Sequence, residues 1–266
     1  MATPEDLEIF IENTTDELQD FIAEINDGEE LDAQLGQLFS DICTNYRRRA
    51  IAWLLLEADT AAFSRDLYNS AQAFLFFLNQ ARDNSAIDRY PLTTGRSAPF
   101  FDAVASQSND LAKSIALNSK QVFSEGDEYE DDFYYHYFLM QLYLKEVDEK
   151  SLAKILDRFS SEVTGESSYK LAICKALSDQ DSQLFNDSLN ELLLAHQETY
   201  HRYREQEKEH DEIIDTEGNI SVEGLALVRL AEIRHMMTAK EYPLIPSLAK
   251  QTSPMVSQPE DAWKSP

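Results

Sequence analysis

Five histidines, His136, His196, His201, His210 and His235, are the first side chains to test for chemistry, because an imidazole can ligate a metal or move a proton near neutral pH. His201, Glu205 and Glu209 fall at helical steps of four and would share one helix face, from which a ferritin-like bundle could build a metal site. The chain has no His-Glu-x-x-His zinc motif, and the sequence assigns no metal and no cofactor. His136, in an aromatic run, and His196, on an apolar stripe, read as satisfied residues of the core. No Gly-x-Ser-x-Gly elbow, dinucleotide fingerprint or Walker sequence is present, so no catalytic residue is assigned and a binding role is expected over an enzyme.

Two charged clusters remain. Glu125, Asp127, Glu128, Glu130, Asp131 and Asp132 crowd together, but without the alternating carboxylates, glycine and closing Glu of a calcium loop. They read as a solvated acidic loop or as a contact for a basic partner. Arg47, Arg48 and Arg49 form the one dense basic run, and no aromatic platform accompanies them as a nucleic-acid surface would require. They are expected to pair internally with acids or with helix C-termini. Cys43 and Cys174 lie far apart with no ligand spacing, as expected of buried thiols in a reducing compartment.

The formal charge is −26, from 23 Lys plus Arg against 49 Asp plus Glu. Such a surface repels phosphate backbones, which argues against direct nucleic-acid binding, and it would steer the chain toward a basic partner or simply keep it soluble. The longest apolar run, Ala50 to Leu56, falls far short of the ~20 residues a membrane helix needs, and the N-terminus has no secretory pattern. A cytoplasmic protein without membrane contact is expected.

Helices must position these groups. There are only seven Gly, and Pro243, Pro246, Pro254, Pro259 and Pro266 are five of the eight Pro, so little interrupts helices before the C-terminus. Thr3 and Pro4 predict a capped first helix that stops at Asn26-Asp27-Gly28, and a second helix fits Leu31 to Asn45. Residues 50–82 predict two antiparallel helices, with Asp59 and Thr60 capping the second and Phe63, Leu67, Ala71, Phe74 and Leu78 turned inward. After a loop over 83–99, one helix is expected from Phe100 to about Val122, then three shorter ones over FYYHYFLMQLYL, LAKILDRFSSEV and SSYKLAICKALS.

Residues 179–236 predict a helical hairpin. Its first arm carries Phe185, Leu189, Leu192, His196, Tyr200 and Tyr203 on one stripe, and its second carries Val222, Leu225, Ala226, Leu230, Ile233 and Met237. The turn between them holds Asp211, Glu212, Asp215 and Glu217. The fold class is therefore all-α, antiparallel helical hairpins stacked in a tetratricopeptide-like bundle with no sheet, as one domain over 1–248. The Pro-rich stretch 249–266 is expected to be an irregular or mobile tail.

The segments RRRAIAWLLLEADTAAFSRDLYNSAQAFLFFL, FYYHYFLMQLYL, FNDSLNELLLAHQETYHRY and SVEGLALVRLAEIR followed by YPLIPSLA resemble the immunity protein 49 family of bacterial polymorphic toxin systems, over roughly residues 45–250. The resemblance implies a cytoplasmic antidote that binds a cognate toxin of competing bacteria and blocks it, with no catalytic residues to carry over. The acidity points to a basic, nucleic-acid-directed toxin, and the two clusters, Glu125 to Asp132 and Asp211 to Glu217, are the expected electrostatic contacts. A helical-repeat adaptor or chaperone is the alternative, with a helical enzyme third.

Overall fold

The computed structural model describes residues 2–27, 34–82, 84, 86–145, 148–163, 165, 167–206, 212–251, 255 and 258–266. Among them are eleven α-helices and no strand: α1 (Pro4–Asp27), α2 (Leu35–Glu57), α3 (Thr60–Arg82), α4 (Pro99–Ala105), α5 (Asn109–Asn118), α6 (Glu130–Leu144), α7 (Glu149–Glu162), α8 (Ser167–Asp179), α9 (Ser182–Gln206), α10 (Glu212–Thr216) and α11 (Val222–Ile233). None of these helices is long and apolar enough to cross a membrane. The predicted stop at Gly28 and the predicted start at Leu31 lie outside the described residues.

Local chemistry explains most boundaries. At the start of α1, Thr3 Oγ1 accepts from the Asp6 amide at 3.2 Å and the Asp6 carboxylate accepts from the Thr3 amide at 2.7 Å, a reciprocal capping box. Ala58, in the left-handed region at φ 55°, ends α2, and Asp59 Oδ1 then accepts from the Ala61 and Ala62 amides at 2.9 Å to open α3. The first arm of that hairpin begins at Leu35 and runs through the arginine triplet, not from residue 50, because nothing between Leu35 and Glu57 breaks a helix. The single helix expected over 100–122 is two. Ser106 returns its hydroxyl to the Asp102 carbonyl at 2.8 Å, and Gln107 takes a left-handed φ of 58°. The Ser108 amide closes onto the Ala103 carbonyl at 2.9 Å, a helix-ending turn that serine side chains favour.

The predicted hairpin of residues 179–236 is resolved differently. Helix α9 lies mainly against α8, and α11 lies mainly against α4. The reason is the apolar surface of α11: Val222, Leu225, Ala226, Leu227, Val228, Leu230 and Ala231 are all buried, so the helix is surrounded by several neighbours and cannot be one arm of a pair. Ser221 caps it, accepting from the Gly224 amide at 3.0 Å. The stripe on α9 is buried only through Leu192; His196 and Tyr200 are half-buried and Tyr203 is exposed. One hydrophobic core runs from Leu18 to Trp263, with a small satellite around Leu7, Phe10, Ile11 and Ala52.

The C-terminal segment is irregular, as its prolines require, but its end is docked and not free. Trp263 is fully buried between Phe39 and Phe76, with ring centroids 5.5 and 5.3 Å away. The side chains of α2 and α3 satisfy the backbone here. The Tyr46 hydroxyl donates to the Trp263 carbonyl, the Gln72 amide donates to the Pro259 carbonyl at 2.7 Å, and Gln72 Oε1 accepts from the Trp263 amide at 3.2 Å. Composition predicts the irregular backbone and says nothing about one indole filling a hole in a distant hairpin. Trp263→Ala is expected to cost about 3–5 kcal/mol, the usual range for a Trp-sized deletion in a core, read as a lower urea midpoint; a free tail would leave the midpoint unchanged.

Candidate functional site

The arginine triplet sits mid-way along α2, and each member turns to a different acid. Arg47 makes a bidentate pair with Asp102 of α4, both bonds 2.7 Å. Arg49 pairs with Asp66 of α3 at 2.7 Å, and Arg48 lies 3.8 Å from Glu217. Burial opposes the Arg47 charge, but Asp102 outweighs it and holds the guanidinium above its ordinary pKa. Burial also pushes the Asp66 carboxyl up, against the pull of Arg49. The triplet is thus spent internally, as the lack of a nucleic-acid platform around it predicts.

Beyond the Arg47–Asp102 pair lies a cavity of about 270 Å³ where α2, α4, α6, α8, α9 and the start of α11 converge. Its polar lining includes Arg47, Asp132, His136, Lys170, His196, Tyr200, Glu217, Ser221 and Glu223, with Phe101 as an apolar wall. An open groove of about 480 Å³, lined by Tyr129, Glu130, Asp131, Glu162 and Ser167, shares Asp132, Lys170 and His196 with it. The two form one cleft, whose acidic mouth leads to a mixed polar floor.

On that floor Glu223, in the first turn of α11, accepts from the Tyr135 hydroxyl at 2.6 Å. Burial raises its pKa, but Lys170, then His196 and the Tyr135 bond, overcome this and leave the carboxyl below its ordinary value. Lys170 is the counterpart: burial lowers it, while Glu223 and Asp132, the latter 3.4 Å away, bring it above its ordinary value. Its ammonium also lies over the Tyr135 ring at 4.9 Å. Burial and then Lys170 lower His136 below the usual 6.5. Its Nδ1 is 3.0 Å from the Asp132 carbonyl and donates to it, so the neutral ring keeps its lone pair on Nε2.

Catalytic acid–base pairs are usually tuned toward neutrality. Here the principal pair is tuned away from it, Lys170 upward and Glu223 downward, which suits a fixed charge arrangement for binding. Burial pushes the Cys43 thiol up to about 12 and raises Cys174 as well, so neither is a ready nucleophile.

The sequence candidates are dispersed by the fold. Glu125 and Asp127 are exposed, and Glu128 is turned inward to accept from the Gly95 amide at 2.8 Å and the Ser124 amide at 3.1 Å. Glu130, Asp131 and Asp132 form the first turn of α6, where carboxylates complement the helix dipole, and all three line the groove. Asp131 accepts from the Ser167 hydroxyl at 2.5 Å. Glu212 is half-buried at the start of α10, and Asp215 is buried 3.7 Å from Arg204, so it is not a surface charge. Glu217 lines the cavity, and Asp211 lies outside the described residues. Glu-x-x-His spacing does occur, at Glu198–His201, Glu207–His210 and Glu232–His235. Yet His201 and His235 are exposed, His210 and Glu209 are outside the described residues, and no group of three metal-binding side chains forms among those described.

Sequence reading missed Lys170, Tyr135 and Glu223. The one available signal was Glu223 itself, a carboxylate inside the otherwise apolar run Val222 to Val228.

The family model for Immunity protein 49 matches residues 92–249, more than half of the chain. The chain belongs to the immunity protein 49 family. No curated protein and no solved structure matched it. Within immunity protein 49 the matched segment supplies α4 to α11 and every polar residue of the cleft except Arg47, while α1 to α3 and the docked C-terminal end lie outside it. The match therefore begins later than the resemblance read from residue 45.

The tuned groups make stability depend on pH in two windows. The folded pKa of His136 lies below 6.5, so protonation favours the unfolded chain; its contribution is complete above 6.5 and is lost as pH falls from there through the folded value. Glu223 acts in a lower window, complete above 4.5 and lost as pH falls through its lowered folded value. Thermal melts across this range are expected to show both losses. His136→Asn, which keeps a donor for the Asp132 carbonyl, should remove the upper one alone.

Proposed function

We propose that this immunity protein binds a cognate antibacterial toxin in the cytoplasm and neutralises it by direct protein–protein occlusion, with the acidic mouth of the cleft as the toxin-facing surface. Family membership carries the reading. Three features of the surface support it. The matched segment holds a cleft whose rim, Glu130, Asp131 and Glu162, is acidic and accessible. Tyr129 stands 79 % exposed in the same groove, an aromatic of the type that anchors interfaces. The net charge of −26 would accelerate capture of a basic partner, in keeping with a toxin directed at nucleic acid.

The adaptor and chaperone alternative has no feature of its own in its favour. The enzyme alternative has the ionisable cleft, but the tuning of Lys170 and Glu223 favours binding.

Co-expression with the product of the adjacent gene is expected to give a stable complex and to restore growth of a strain carrying that toxin; absence of any complex would remove the proposal. In the purified pair, Glu130→Gln, Asp131→Asn and Glu162→Gln together should slow association roughly 3- to 10-fold at low ionic strength and much less at high salt, since long-range steering is screened. Equal slowing at both salt concentrations would exclude these charges as the steering surface.

A further inference from the structure

We propose that a separate cavity, at the end of α3, is a binding site for a small phosphate ester with an apolar body. It shares no residue with the acidic cleft and is independent of the toxin-binding reading.

The cavity, of about 300 Å³, lies between the last turn of α3, the loop that follows it and the end of α5. Its three charged side chains, Arg82, Arg89 and Lys120, are all basic, and no Asp or Glu is among the described residues that line it. Composition predicts the reverse, since acids outnumber bases by 49 to 23 over the chain. Asp88, beside Arg89 in sequence, is not part of the lining and accepts from the Tyr90 amide at 3.0 Å. Asp83 lies outside the described residues.

Basic side chains near helix ends often bond the last carbonyls, which would give these three a purely structural role. They do not act in that way. The guanidinium groups of Arg82 and Arg89 make no hydrogen bond or ion pair among the described residues, and Lys120 Nζ has only the Ser124 hydroxyl there, at 3.3 Å. Arg89 also stands in the loop, at the end of neither helix. In the cleft, by contrast, Arg47 and Lys170 are matched to Asp102 and Asp132. Three like charges gathered around one space repel one another, and an anion between them removes that repulsion.

The arrangement selects the anion. The cations come from three separate segments, so a group with oxygens directed several ways meets them better than a planar carboxylate, which one guanidinium fork satisfies alone. Leu78 and Ile87, both buried, and Leu92, half-buried, give the cavity an apolar floor that a bare phosphate would leave uncovered. The volume stands at the lower end of the ~300–1,000 Å³ usual for small-molecule sites. The net charge of −26 opposes a polyanion far more than a single phosphate, so the occupant is one ester and not a nucleic-acid backbone.

The test uses the full chain in phosphate-free buffer and phenyl phosphate as probe, with inorganic phosphate and benzoate as comparisons, followed by NMR of the backbone and side-chain amides. Phenyl phosphate is expected to shift the amides of Asn84, Ile87, Asn118 and Lys120 saturably, and to bind roughly tenfold tighter than inorganic phosphate, the scale of burying its ring. Arg82→Gln and Arg89→Gln, both at exposed positions, should each weaken it roughly tenfold, the scale of one charge-assisted hydrogen bond. Lys175→Gln, which removes an exposed cation outside the cavity, should leave it unchanged. Shifts that never saturate, or equal weakening by Lys175→Gln, would reduce the effect to general attraction by charge and overturn the site. Benzoate binding as tightly as phenyl phosphate would overturn the phosphate assignment, and inorganic phosphate binding as tightly would overturn the apolar body.

Discussion

The bidentate pair between Arg47 and Asp102 is the contact on which the arrangement turns. Asp102 is fully buried and also accepts from the Ser70 hydroxyl at 2.6 Å, so one carboxylate ties α2, α3 and α4 together. Helix α4 in turn supports the central α11, and Arg47 forms a wall of the cleft. Loss of either partner would leave a buried charge without compensation, a more serious defect than the pair's net worth suggests. The contact also crosses the limit of the family match, since Arg47 lies outside residues 92–249 and Asp102 within them. The first three helices act as a buttress that fixes the inner wall of the matched unit, and Trp263 locks the chain end onto the same buttress.

A second constraint follows from how scarce positive charge is. With 23 basic residues against 49 acidic ones, the buried acids Asp102, Asp66 and Asp215 each draw a cation inward. Arg47, Arg49, Lys170 and Arg204 are directed to Asp102, Asp66, Asp132 and Asp215. The excess of acids over bases leaves the exterior acidic. The fold thus turns one composition into two environments: a neutralised interior that tolerates charge because it is paired, and an acidic exterior suited to attracting a basic partner. The cleft sits where the two meet, which is why Glu223 is ionised on its floor while a neutral imidazole stands beside it.

Much of the helical framework is legible in the residues. The cap at Thr3, the cap at Asp59 and the inward set Phe63, Leu67, Ala71, Phe74 and Leu78 are local patterns, and the structure has them as read. The break at Ser106 to Ser108 was present too, but two serines flanking a glutamine are a weaker stop than Gly or Pro. On α9 a single stripe from Phe185 to Tyr203 implied one buried face. In fact the packing partners end near Leu192, and the same stripe continues as a cleft wall at His196 and Tyr200. Periodicity shows which residues share a face; it cannot show where the neighbour covering that face stops.

The sequence by itself determined the all-α class, most helix ends, the internal use of the arginine triplet and the resemblance to immunity protein 49, because each depends on residues near one another in the chain or on overall composition. Only the tertiary structure decided that α11 packs mainly on α4, with α9 reaching it through Leu193 at Gly224, that Trp263 is buried, and that Asp132, His136, Lys170, His196, Glu217 and Glu223 share one cleft. Those residues come from separate helices and loops across more than ninety positions, and their pKa shifts arise from burial and from neighbours through space. No local pattern encodes such convergence, since it depends on which apolar faces find each other when the whole core closes.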